Sequence, residues 1–114
     1  MSSSDIDRKI AVIFATDLVG YSKHMEKDED ATLRGLRECN KIIEPLIKKQ
    51  KGRIFNTGGD SVFAEFPSAV AAVNTAVEFQ KQIKARNDKD TTEVKLEYRI
   101  GINMGDVVKQ GDKN

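Results

Sequence analysis

Hydrophobic positions change period several times along the chain, and each change marks an element. Ile10-Ala11-Val12-Ile13-Phe14-Ala15 is an unbroken apolar run. Its lack of alternation predicts a strand from about Lys9 to Thr16 that is buried on both faces. Asp17-Leu18-Val19-Gly20-Tyr21-Ser22 follows as a tight connection. Asp28-Glu29-Asp30 then opens a helix, because acidic residues suit its positive N-terminal end. Leu33, Leu36, Cys39, Ile43, Leu46 and Ile47 recur at helical spacing. Pro45 falls inside that pattern and predicts a kink, or a division near Glu44. Gly52 predicts the stop.

Two shorter apolar runs come next, Arg53-Ile54-Phe55 and Ser61-Val62-Phe63-Ala64-Glu65-Phe66. They flank Asn56-Thr57-Gly58-Gly59-Asp60, which reads as a β-hairpin whose turn uses glycine for backbone angles that other residues avoid. Ser68 caps a second helix, with Val70, Val73, Val77, Gln80 and Ile83 along its expected buried face. Asn87-Asp88-Lys89-Asp90 is a loop. Val94, Leu96, Tyr98, Ile100 and Ile102 then alternate with Lys95, Glu97, Arg99, Gly101 and Asn103, the clearest strand pattern in the chain. Gly105-Asp106 reads as a turn leading to Val107-Val108. Residues 1–7 are polar and are expected to be a disordered tail, with one domain over 8–114.

The order is β-α-β-β-α-β, an α/β (α+β) fold of the ferredoxin-like split βαβ type. Right-handed crossovers place the first strand beside the second hairpin strand and antiparallel to it. Asp17 ends the one strand and Asp60 opens the other. Topology thus brings together two carboxylates that are far apart in sequence.

Composition narrows the function classes. A chain of 114 residues suits one domain with a modest core. Hydrophobic residues at 39% and charged residues at 32% exclude a disordered chain. A net charge of +1 gives no field that points to nucleic acid. Lys48, Lys49 and Lys51 lack interleaved aromatics and read as a solvated helix end. Cys39, the one cysteine, allows neither an internal disulfide nor a thiolate cluster. No apolar run is long enough to span a bilayer, and Met1-Ser2-Ser3-Ser4-Asp5 lacks the pattern of a signal peptide, so a cytoplasmic location is expected.

Converging carboxylates repel, so one takes a proton or a cation sits between them. A hard ion such as magnesium suits oxygen ligands and keeps positions open for water and phosphate. Two such ions activate an attacking oxygen and stabilise a leaving one. The backbone amides of Val19, Gly20, Tyr21 and Ser22, in a turn before a helix, suit phosphate oxygens. The plainer assignment makes Asp17 a strand-end or cap residue and Asp60 a turn residue, and periodicity alone favours it.

Three blocks add a further observation: Phe14-Ala15-Thr16-Asp17-Leu18-Val19-Gly20-Tyr21-Ser22, Gly52-Arg53-Ile54-Phe55-Asn56-Thr57-Gly58-Gly59-Asp60, and Tyr98-Arg99-Ile100-Gly101-Ile102-Asn103-Met104-Gly105-Asp106. In this order and at these separations they resemble the class III adenylate/guanylate cyclase catalytic domain, over nearly the whole chain from about Arg8. Gly58-Gly59-Asp60 is also similar to the hairpin of diguanylate cyclases, but the continuation Ser61-Val62-Phe63 and the Asp17–Ser22 block favour class III.

The resemblance implies two magnesium or manganese ions held by Asp17, Asp60 and the carbonyl of Leu18. It implies triphosphate oxygens held by amides around Gly20, Tyr21 and Ser22. The implied reaction is attack of the ribose 3′-hydroxyl on the α-phosphate of ATP (or GTP), giving the cyclic nucleotide and pyrophosphate. The implied assembly is a homodimer with the site between two chains. Asn56 stands where the family has an adenine-reading lysine; it either pairs with a purine edge through its amide or serves the turn.

The family domain continues beyond the point matched by Asn114, and the adenine-reading aspartate and the transition-state asparagine and arginine belong to that part. The chain is therefore expected to carry the metal half of the site and to be inactive alone. The alternative function is a cyclase-like module that binds metal-nucleotide or a partner chain without turnover. Uncovered apolar surface predicts self-association or strand exchange. His24 reads as a helix-entry residue or a phosphate contact, Glu65 as wet-face or partner-facing, and Arg99 as a solvated strand position or one facing nucleotide or partner.

Overall fold

The computed structural model describes residues 6–89 and 94–110. Among them the order is β1 (Ile6–Leu18), α1 (Tyr21–Lys27), α2 (Glu29–Lys49), β2 (Arg53–Gly58), β3 (Ser61–Phe66), α3 (Ala69–Asn87) and β4 (Tyr98–Gln110). The strands form one sheet in the order β2-β3-β1-β4, antiparallel at each junction. This is the expected split βαβ topology, with β1 beside the second hairpin strand.

β1 is longer than its apolar run at both ends. Its backbone pairs with β4 from Ile6↔Gln110 to Leu18↔Tyr98, so the ladder rather than side-chain hydrophobicity sets its length. Ile6 and Asp7, expected in the tail, are part of it; Met1–Asp5 lie outside the described residues. Gly105-Asp106 is not a turn. Gly105 pairs with Ala11 and Asp106 with Ile10 inside the ladder, because glycine permits a turn without requiring one. β4 starts at Tyr98, and Val94–Glu97 approach it as irregular chain.

Burial of β1 on both faces is also corrected. Val12, Phe14, Thr16 and Leu18 are buried on the face that α2 and α3 cover, while Ile13, Ala15 and Asp17 on the other face stay half-exposed. Val62, Ala64 and Phe66 of β3 join the covered face. The Phe14 and Phe66 rings meet at 5.3 Å, and Phe79 meets Tyr98 edge-on at 5.1 Å. Each such fully buried side chain contributes roughly 1.5–3 kcal/mol.

α2 begins where the acidic run predicts: the Asp28 carboxylate accepts the Ala31 N–H at 3.1 Å. Leu36, Cys39, Ile43 and Ile47 are buried, and Leu33 and Leu46 pack against them. The helix continues through Pro45 without division, because the buried residues on either side, Ile43 and Ile47, hold one face to the core. It stops earlier than Gly52. Lys51 takes the left-handed conformation (φ 63°), and the Lys51 and Gly52 amides bond back to Lys48 and Ile47 at 2.9 Å each. Gly52 answers a packing need: a Cβ there would stand 2.7 Å from the Phe66 ring.

α3 starts as expected, with the Ser68 hydroxyl accepting the Ala71 N–H at 3.1 Å, but it turns a different face inward. Ala71, Ala72, Thr75, Phe79, Ile83 and Arg86 are buried; Val70, Val73, Val77 and Gln80 are exposed, so only Ile83 of the expected face is core. Two stripes of helical period compete in this segment. The one with the small residues Ala72 and Thr75 lets the helix come close to the sheet, and Phe79 then fills the space over Tyr98.

Candidate functional site

The site lies where β1 ends and β3 begins. The hairpin closes with a two-residue turn, Gly59-Asp60, in which Gly59 takes φ 54°. That geometry hands Asp60 to the head of β3, beside the end of β1. The Leu18 N–H donates to Asp60 Oδ2 at 2.8 Å across forty-two positions of sequence. Asp17 is the neighbouring residue, on the open face of the sheet. The fold thus brings the two strand ends together, with Asp60 bound to the amide of the residue that follows Asp17.

Asp17 has a partner that the strand pattern alone left undecided. Arg99, opposite it in the β1–β4 register, donates from Nε to Oδ1 at 2.9 Å and from Nη2 to Oδ2 at 3.3 Å. The hydrogen bonds and charge of Asp17 hold the guanidinium above its ordinary pKa, and Asp60 adds a weaker pull in the same direction. One cation thus feels both carboxylates. The signal in the sequence was an opposite-charge cross-strand pair, legible only once the β4 register is known.

The connection after Asp17 is more structured than a loop. Gly20 takes φ 69° and caps α1, so Tyr21 and Ser22 are the first helical residues. A Cβ built at Gly59 would lie 3.7 Å from the Tyr21 hydroxyl, which places the start of α1 over the hairpin turn. The amides of Tyr21 and Ser22 belong to a first turn and have no intrahelical acceptor. Val19 differs: its N–H donates to the Glu97 carbonyl at 2.8 Å, so among the described residues it alone of the four amides expected at phosphate is engaged within the fold.

Glu97 is held in turn by residues that the sequence did not single out. The Asn87 side chain brackets Leu96, donating to its carbonyl at 2.7 Å and accepting its N–H at 3.2 Å. Buried Arg86 bonds the Val94 carbonyl at 3.0 Å and pairs with Glu38 at 2.7 Å. Nothing in a pattern of periods marks these groups, because they act on backbone.

Asn56 lies in β2, exposed, opposite Phe63 and next to a register shift, so it is a strand residue and not part of the turn. Glu65 pairs with Arg53 at 2.8 Å on the open face, where Phe55 also approaches Phe63 at 6.3 Å. His24 sits within α1.

The donor set fits a hard divalent ion in kind: two carboxylates on adjacent strand ends, with the Leu18 backbone between them. The position already draws a cation, since the Arg99 head sits on Asp17. Among the described residues no cluster of three or more acidic, histidine or cysteine ligands forms, so further ligands to such an ion have to be backbone, water or substrate oxygens.

The chain belongs to the class III nucleotidyl cyclase catalytic domain family: the family model of the adenylate and guanylate cyclase catalytic domain matches residues 3–113. The chain is similar to cyclases from several organisms. It is 38% identical over 109 residues to "Putative adenylate cyclase 3" of Rhizobium meliloti (strain 1021), a match covering 95% of this chain and 19% of that protein. The crystal structure of an adenylate/guanylate cyclase/hydrolase from Silicibacter pomeroyi superposes with TM-score 0.79 at 36% identity, over 90% of this chain and 60% of that one. The adenylyl cyclase CyaB from P. aeruginosa matches with TM-score 0.75 at 28% identity, over 90% and 59%. The chain therefore spans about a fifth of the curated relative and about three-fifths of these solved chains. No helix among the described residues is long and apolar enough to cross a membrane.

Proposed function

We propose that this domain converts ATP to cyclic AMP and pyrophosphate within a dimer, and that the residues described here form the metal-holding part of the site. The observation that carries the reading is the meeting of the Asp17 and Asp60 strand ends, sealed by the Leu18 amide on Asp60. Asp17, Asp60 and the Leu18 carbonyl hold two magnesium or manganese ions. When bound, these supply the charge that lowers the pKa of the 3′-hydroxyl and neutralises the phosphates. The Gly20, Tyr21 and Ser22 amides orient the triphosphate at the start of α1. Val19 contributes by anchoring this connection to Glu97. Exposed Asn56 offers a donor and an acceptor to a purine edge, which leaves GTP as the competing substrate. The open sheet face, with Phe55 45% exposed, supplies apolar area for a second copy.

The test is product formation. Purified chain is incubated with ATP or GTP and manganese, and cyclic nucleotide is measured alongside Asp17→Ala and Asp60→Ala. Product that both substitutions abolish supports the enzyme. Nucleotide binding without product makes the chain a binding module instead.

A further inference from the structure

We propose that Arg99 is a built-in counter-ion that a divalent cation has to displace from Asp17, so that metal entry is an exchange of one cation for another. The inference rests on the reading of Asp17 as a metal-holding residue and adds a regulatory residue to it. Three observations support it. Arg99 faces Asp17 directly across the β1–β4 ladder and engages both carboxylate oxygens. These are the atoms that a metal ion needs. The guanidinium is exposed at 70% of its side chain, so it can leave without disturbing the core. Asp60 has a different partner: a backbone amide fixed by the strand ends, which cannot swing away.

The two carboxylates therefore play different parts. Asp60 is set in place by the fold before any ion arrives. Asp17 is neutralised in advance, which removes the repulsion between the pair when no metal is present. The release of Arg99 costs little, since an exposed ion pair shifts an equilibrium by up to about fivefold. Its positive charge nonetheless opposes an incoming divalent ion for as long as it stays near. Removing the charge should then tighten metal binding by roughly three- to tenfold.

The test measures manganese binding to the whole chain without nucleotide, by calorimetry and by the resonance signal of free manganese. Wild type, Arg99→Gln, Arg99→Lys and Asp17→Asn are compared, with a thermal melt of each to establish folding. The expected result is tighter binding in Arg99→Gln and near wild-type binding in Arg99→Lys. Asp17→Asn should lose the site. Equal affinity in wild type and Arg99→Gln overturns the exchange while leaving the metal reading intact. Weaker binding in Arg99→Gln also overturns it, and makes Arg99 an orienting partner of Asp17. Manganese binding that ignores Asp17→Asn overturns both the exchange and the metal reading beneath it.

Discussion

The two faces of the sheet are built from the same strands and do opposite work. On the covered face Val12, Phe14, Thr16, Leu18, Val62, Ala64, Phe66 and Tyr98 are buried beneath α2 and α3. On the open face the alternate residues of those strands are Asp17, Arg99, Glu65, Arg53 and Phe63, paired across strands and reached by solvent. A strand shifted by one residue would exchange the two sets. The packing of Phe14 therefore fixes, by parity, that Asp17 points away from the helices. Packing on one face is what gives the side chains on the other their direction.

Substitutions of matched residues test that division, and the largest effect belongs to the covered face. Phe14→Ala should cost about 3–5 kcal/mol in denaturant unfolding, since the ring is wholly buried and meets Phe66. A loss below about 1 kcal/mol would mean that the covered face is not the core.

The site aspartates should separate next. Asp60→Ala leaves the Leu18 N–H without its acceptor and should cost about 1–3 kcal/mol. Asp17→Ala removes only an exposed pair and should change stability by less than about 1 kcal/mol. Both should lose manganese binding. Equal stability costs would erase the distinction between a carboxylate fixed by the fold and one held by an exchangeable partner.

Alkaline titration probes the covered face by another route. Burial raises the Cys39 thiol above its ordinary 9.0 and the Tyr98 hydroxyl above its ordinary 10.0, and the two groups lie beside each other. The folded chain keeps these protons longer than the unfolded chain does. Their contribution is therefore complete below about pH 9 and erodes as pH rises past the unfolded values. A melting temperature that stays flat from about pH 8 to about pH 10.5 would count against buried, neutral side chains here.

The smallest effect should come from the exposed stripe of α3. Val73→Gln should change stability by less than about 0.5 kcal/mol, because Val73 is 47% exposed. A loss several times larger in the isolated chain would show that a second copy covers the stripe, and sedimentation would then find a dimer.

How much was readable depended on the kind of signal. The glycine turn before Asp60 and the caps Asp28 and Ser68 were legible because each depends on a few adjacent residues. So was the α2 face, where large apolar residues occupy one stripe. The α3 face was not, since Val70-Val73-Val77 and Ala72-Phe79-Ile83 have the same period and only contact with the sheet chooses between them. The reach of β4 past Gly105 was equally hidden, because a ladder partner is not written beside the glycine that it keeps extended.

The sequence by itself determined the order of the four strands and the two long helices and put an acidic residue near two strand ends, since local periods and turn chemistry are short-range properties of the chain. Tertiary structure decided which faces are buried, that Asp60 is fixed by the Leu18 amide, and that Asp17 is claimed by Arg99 eighty-two positions away. Those outcomes depend on strand register, which is set by the packing of the whole sheet against its helices rather than by any neighbouring residue.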